Sequence, residues 1–187
     1  MIAETPLYLA TKQRHPRVIQ TLLEHGANLM PVFHKCLLTY DNRTFIDLLD
    51  YVADSDLPSN LLHKVSMSHD QDGYIVEHLI NRYGYKVNAH DNLLGYAPMH
   101  WVAISGISDV CEVLLEHGAD ANLPTLRHGH TPLGMAVDRA ICLQDEEAYK
   151  ICEMLLNAGT DPNVKHKGVV IRNMIGNDER LVELFNK

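Results

Sequence analysis

The side chains of this protein that could ligate a metal, or act as nucleophile and base, are twelve histidines and four cysteines. Zinc sites hold such ligands at close, recurring spacings. The only close histidine pair is His128-Gly129-His130, and neither a cysteine nor a carboxylate joins it at a zinc spacing. No G-x-S-x-G elbow, P-loop, H-E-x-x-H or C-x-x-C occurs. The sequence therefore predicts no catalytic residue, no metal, no cofactor and no small-molecule substrate. Cys36, Cys111, Cys142 and Cys152 read as free thiols. Cys111 and Cys152 each stand three residues before a Leu–Leu pair in similar segments. Such equivalent positions lie about 10 Å apart in packed helices, beyond the roughly 7 Å that a disulfide spans between Cα atoms. Free thiols suit a reducing compartment. No signal-peptide core surrounds Glu4, and a cytoplasmic location is expected. A formal charge of −8 leaves no basic stripe for nucleic acid. No apolar run approaches a membrane span, so neither nucleic-acid binding nor membrane insertion is expected.

The elements that must position these residues are clearest in residues 97–122, APMHWVAISGISDVCEVLLEHGADAN. Ala97 and Pro98 open a short helix, with proline in the first turn, where its missing N–H is harmless. Met99, Val102 and Ala103 give that helix an apolar face, and Gly106 breaks it. Ser108 or Asp109 can cap a second helix. Val110, Cys111, Val113 and Leu114 then recur at helical spacing, until Gly118 ends it in the left-handed conformation. Such a hairpin cannot bury its apolar face alone, so it must be one unit of a stack. The pattern returns in residues 5–30, TPLYLATKQRHPRVIQTLLEHGANLM, and in residues 131–136 with 151–163, TPLGMA and ICEMLLNAGTDPN.

The TPLH-like opening, the Leu–Leu pair and the Gly-Ala-Asp-x-Asn close resemble the ankyrin repeat family, whose period is about 33 residues. Two degenerate units lie between the good matches. Phe33–His34 and Leu62–His63 replay the opening, Leu48–Leu49 and Leu79–Ile80 the later apolar pair, and Val87–Asn88 the close. The resemblance implies an all-α ankyrin-repeat solenoid of helix-turn-helix units with short β-hairpin fingers. It implies one domain over 1–187, with repeats near 1–30, 31–58, 59–90, 91–125 and 126–165 and a C-terminal cap over 166–187. Tyr8, His34, His63, His100 and Gly134 hold the family's histidine position, with steps of 26, 29, 37 and 34 residues. In the family that ring bonds to backbone and ties one repeat to its neighbour. The short first step leaves Met30–Pro31 as a bare turn. The long third step is a polar loop over 68–73. In repeat five the extra length predicts longer helices and an acidic projecting loop around 142–147. Asn122 and Asn163 match the family's asparagine hydroxylation pattern, which is also its turn-closing consensus.

Family members grip partner proteins through finger residues just before the opening motif and through the exposed end of the first helix. Transferred here, those positions are Leu93, Leu94, Tyr96, Ile104 and Ser105 before and within repeat four. In repeat five they are Arg127, His128, His130, Asp138 and Arg139. Trp101 stands at the inner edge, half packed between first helices. Leu93, Leu94 and Tyr96 are apolar where a finger tip is ordinarily polar, which favours a binding patch over local packing. Leu94 and Tyr96 are accordingly expected to be dispensable for stability. The expected function is non-catalytic binding of another protein through the concave face and fingers. The alternative is a targeting module of a larger enzyme, or of an effector that an intracellular bacterium or virus delivers to host cytosol.

Overall fold

A computed structural model describes residues 5–39, 41–53, 57–67 and 73–186. The described residues fall into two compact units, one up to residue 58 and one from residue 59. The first holds α1 (Pro6–Lys12), α2 (Pro16–Glu24), α3 (Met30–Thr39) and α4 (Asn42–Leu49). The second begins with α5 (Leu61–Ser66), α6 (Tyr74–Tyr83), α7 (Pro98–Ser105), α8 (Ser108–Glu116), α9 (Pro132–Leu143) and α10 (Glu146–Asn157). It ends with β1 (Lys165–His166), β2 (Val169–Val170), α11 (Ile171–Met174) and α12 (Glu179–Phe185). No helix among the described residues is long and apolar enough to cross a membrane.

The openings work as their residue types require. Thr5 and Thr131 place a side-chain oxygen before a proline, and accept from the N–H of Tyr8 at 3.1 Å and Gly134 at 3.4 Å. Those contacts satisfy donors that the first helical turn leaves unpaired. Ala97 has no such oxygen. There the His100 ring replaces it, its Nδ1 accepting the Ala97 N–H at 3.0 Å. Gly106, at φ +70°, stops α7.

Burial sets the register of the first helices. Leu7, Tyr8, Ala10 and Thr11 are buried, as are Val32, Phe33, Lys35 and Cys36. Leu62, His63, Val65 and Ser66 repeat the spacing, and so do Met99, His100, Val102 and Ala103. His34 is exposed, and Phe33 takes the buried position, its ring 4.6 Å from that of Phe45. The expected assignment of His34 was thus one residue late: an apolar ring is cheaper to bury there than an unpaired imidazole. Met30 and Pro31 form the first turn of α3 rather than a bare turn, with Asn28 Oδ1 accepting the Met30 N–H at 2.9 Å. In the same unit the Tyr8 hydroxyl donates to Asp41 at 3.0 Å, and Asp41 caps α4 by accepting from the Thr44 N–H at 3.2 Å.

In the second unit α5, α7, α9 and α11 pack in succession, and α6, α8, α10 and α12 form a parallel row. Neither Ser108 nor Asp109 caps α8. Ile107 holds that position, and the buried Ser108 hydroxyl donates to Glu147 of α10, joining the two helices. Helices α9 and α10 have twelve residues each, against eight and nine in α7 and α8. No acidic loop projects between them, because only Gln144 and Asp145 connect them. Glu146 and Glu147 instead form the first turn of α10, where the helix dipole favours carboxylates. The polar loop expected over 68–73 lies, apart from Gly73, outside the described residues.

Closing asparagines bridge neighbours. Asn88 donates to the Gly118 carbonyl at 3.1 Å and accepts from the Asp120 N–H at 2.8 Å. Asn122 makes the same pair with Gly159 at 3.5 Å and Asp161 at 3.3 Å. Fingers 91–96 and 125–130 are each closed by a backbone bond, Asp91 N–H to Tyr96 at 2.7 Å and Thr125 N–H to His130 at 2.8 Å. Among the described residues only the third finger is a β-hairpin, pairing Lys165 with Val170 and His166 with Val169. Its turn residues Lys167 and Gly168 both have positive φ, 51° and 83°, as a two-residue hairpin turn requires.

Gly134 replaces the expected ring in α9, and the space is used. The His166 imidazole of the third finger lies where a Gly134 Cβ would sit, and is only 1% exposed. Gly134→Ala should therefore destabilise by about 1–3 kcal/mol through overpacking. The His166→Ala change should recover much of that loss in a double-mutant cycle followed by urea unfolding. Additive losses would show that the two residues do not share the space.

Candidate interaction surface

Finger 91–96 is built on one carboxylate. Asp91 Oδ1 accepts from the N–H groups of Leu93 at 2.9 Å, Leu94 at 2.6 Å and Gly95 at 3.1 Å. Its Oδ2 accepts the Trp101 indole N–H at 2.9 Å. Partial burial pushes this carboxyl up, but the donors from Leu94, Trp101, Gly95 and Leu93 outweigh it and hold its pKa below the ordinary value. The finger is thereby fixed to α7, and its apolar residues are sorted. Leu93 is 73% exposed, whereas Leu94 and Tyr96 are half-buried. The Tyr96 ring lies 5.2 Å from Trp101 and 5.8 Å from His100. Tyr96 is therefore part of the packing, contrary to the expectation that it be dispensable for stability.

The second finger is locked to the first. The Leu126 N–H donates to the Gly95 carbonyl at 3.0 Å, and His90 Nε2 donates to the Pro124 carbonyl at 3.0 Å. His100 Nδ1 is already an acceptor, so its Nε2 carries the proton and donates to the His130 carbonyl at 3.1 Å. Gly95 has φ +72°, and the Leu126 side chain lies against its missing Cβ. Leu126 itself is 70% exposed. Arg127 and His128 are exposed beside it. The His130 ring stacks with His128 at 5.5 Å and meets His166 at 4.4 Å.

The helix ends are less free than their types suggest. Arg139 bonds Asp145 Oδ2 through Nε and Nη2, both at 2.6 Å, and the Ile104 carbonyl through Nη1 at 2.7 Å. Asp138 accepts from His166 Nε2 at 3.1 Å and from Lys167 Nζ. Partial burial raises the Asp138 pKa, but these two donors outweigh it and leave it lowered. Asp138 and Arg139 thus act as ties between elements. Ile104 is exposed, and the half-buried Ser105 donates to the Met67 carbonyl at 3.5 Å.

Three residues that organise this surface escaped the sequence reading. Asp91 had a signal, since an aspartate four residues before a glycine closes turns through its own side chain. Leu126 is as apolar at its tip as Leu93. His166 was findable only through the side chain that Gly134 lacks. Among the described residues no group of three or more histidines, cysteines and carboxylates is placed to hold a metal ion. Cys36, Cys111 and Cys152 are buried free thiols, and burial pushes each up to about 12.

A family model described as ankyrin repeats in three copies matches residues 62–166, and a single ankyrin repeat matches residues 4–32. The Palmitoyltransferase AKR1 of Lachancea kluyveri is 26% identical over 136 residues, covering 62% of this chain and 17% of that protein. The human Ankyrin repeat and KH domain-containing protein 1 is 33% identical over 79 residues, covering 42% of this chain and 3% of that protein. The chain thus spans less than a fifth of the length of these curated relatives. Among solved structures, the ankyrin repeat domain of Bcl-3, a member of the IkappaB protein family, aligns with a TM-score of 0.68 at 22% identity. That alignment covers all of this chain and 83% of that one.

Removing the Asp91 carboxylate leaves the Leu93 and Leu94 N–H groups and the only tryptophan without that acceptor, while the Gly95 N–H keeps the backbone carbonyl of residue 91 at 3.2 Å. Asp91→Ala should cost about 1–3 kcal/mol and shift Trp101 emission toward that of a solvated indole; unchanged emission and stability would show that the carboxylate does not hold the finger. Burial pushes His100 down to about 4 from 6.5, and His130 and His166 are lowered too, chiefly by burial. Their unfolded forms take up protons first, so stability should fall as pH drops from 6.5 to 4, with His100 alone accounting for about 3 kcal/mol. The Asp91 and Asp138 contributions should be lost only below the ordinary carboxylate value of 3.8. Urea melts of the parent and of His100→Asn across this range should show a shallower decline in the variant.

Proposed function

The chain belongs to the ankyrin-repeat family, and from that premise we propose that the fingers of its second unit bind a partner protein. Ankyrin repeats generally mediate protein–protein interaction, and the fold is typically a non-catalytic module. The observation that carries the assignment to the fingers is the pair Leu93 and Leu126. Two large apolar side chains stand 73% and 70% exposed on adjacent fingers that are hydrogen-bonded to each other. Exposed apolar groups on a rigid support suit an interface centre, because little ordering entropy is lost when they are covered. Ile104, near the end of α7, is a further exposed apolar side chain. Leu94 is half-buried, Tyr96 packs against Trp101, and Arg127 and His128 are exposed next to Leu126 in the chain, with His130 half-buried.

A second reading is that this surface targets a longer protein. The part-length match to Palmitoyltransferase AKR1 favours it, since there the ankyrin repeats are a fraction of a larger enzyme. Both readings place recognition on the same fingers.

The test is the double change Leu93→Asp and Leu126→Asp. Central interface residues each cost on the order of 2 kcal/mol or more when lost. Exposed substitutions shift the melting temperature of a chain this size by about 2 °C or less. A partner recovered by cross-linking to the parent protein should be lost with the variant, at nearly unchanged melting temperature. Retention of every partner by a folded variant would remove binding from these fingers.

A further inference from the structure

We infer that the fingers select a partner segment pairing a large apolar residue with a carboxylate about three residues away. The inference rests on the fingers being the binding surface and adds the chemistry of what they bind.

The ground for it is how charge is distributed in the second unit. The second and third fingers, residues 125–130 and 165–170, contain Arg127, Lys165, Lys167 and three histidines, and no carboxylate. Helices α8 and α10 hold Asp109, Glu112, Glu116, Glu146, Glu147 and Glu153 against the single cation Lys150. These two fingers are thus net positive within a chain whose formal charge is −8. Lys167 is engaged by Asp138. Arg127 and Lys165 are exposed and form no ion pair among the described residues.

Geometry sets the order of the partner's groups. The apolar pair Leu93 and Leu126 spans the first two fingers. Arg127 and Lys165 belong to the second and third. Neighbouring packed elements are about 10 Å apart, and an extended strand advances about 3.3 Å per residue. An apolar side chain over Leu93 and Leu126 therefore puts a residue about three positions further along beside the two cations. Complementary charge there steers association and discriminates between partners more than it adds affinity. A duplex nucleic acid or an anionic bilayer would also meet the cations. Neither uses the two exposed leucines, and both are repelled by the net charge of the whole chain.

Short random peptides displayed on phage can be selected against the parent protein and against two variants, Leu93→Asp/Leu126→Asp and Arg127→Glu/Lys165→Glu. Enriched peptides should share a large apolar residue with Asp or Glu three or four positions away. In titrations of synthetic copies, replacing that acid by its amide should weaken binding about tenfold. Added salt should weaken the acidic peptide and leave the amide peptide nearly unaffected. The charge-reversed variant should lose the preference for acid. Peptides that need the leucines but show no acidic preference would overturn this inference and leave the binding surface standing. Failure to recover any peptide sensitive to the leucine variant would remove the surface, and this inference with it. Tighter binding of duplex DNA or phosphatidylserine vesicles through Arg127 and Lys165 would reassign the cations to a polyanion.

Discussion

Each joint between neighbouring first helices in the second unit must satisfy a polar ring taken out of water, and much of the structure follows from that requirement. His63 Nε2 donates to the Ala89 carbonyl at 2.8 Å, and His100 Nε2 to that of His130 at 3.1 Å. Such bonds add little net stability when made and cost much more when a buried group is left unpaired. The loop ahead of the next helix must therefore deliver a carbonyl to a set place. Fingers 91–96 and 125–130 are held there by Asp91 and Thr125, which close them, and by the Leu126 to Gly95 backbone bond. The fingers are tied down by hydrogen bonds because the joint beneath them has to be.

The next joint meets the same requirement in reverse. Gly134 removes the ring from α9, and His166 enters from the third finger and bonds Asp138 on the same helix. Its Nδ1 has no hydrogen-bond partner among the described residues, so the ring is accommodated in its neutral form. Burial, which lowers its pKa, acts in the same sense. Asp138 thus becomes a tie between helix and hairpin. Arg139 likewise spends its donors on Asp145 and on the end of α7. Two charged residues at a position that binds partners elsewhere in the family are here committed to holding the stack. On the fingers, Leu93, Leu126, Arg127 and Lys165 stay exposed, the two cations without an ion pair among the described residues.

Much of this was legible from the residues alone. Proline in the first turn, glycine at the stop and the spaced apolar pairs identified α1, α2, α7, α8, α9 and α10 because each is a local effect, decided within one turn of helix. The family, the buried thiols and the bonding of His63 and His100 to neighbouring loops followed from the same motifs. The repeat-two opening was misplaced by one residue, since Phe33 and His34 are adjacent and only burial against Phe45 distinguishes them. Around residues 142–147 the expected lengthening of both helices was right and the projecting acidic loop was not. Helix continuation satisfies backbone groups that a projecting loop would leave to water.

The sequence by itself determined the repeat, its helices and the absence of recognisable catalytic motifs, all of which depend on residue type and short spacing. The tertiary structure decided which candidates are free. Leu93 and Leu94 are neighbours of the same type, yet Asp91 turns one outward and half-buries the other. Tyr96 was claimed by Trp101 and His100, Arg139 by Asp145, and Asp138 by His166, over separations of up to 28 residues. Leu126 became part of the surface through a bond to Gly95 on another finger. Contacts of this kind form between segments distant in the chain, so no local pattern encodes them. They arise only when stacking brings one unit's loop against the next.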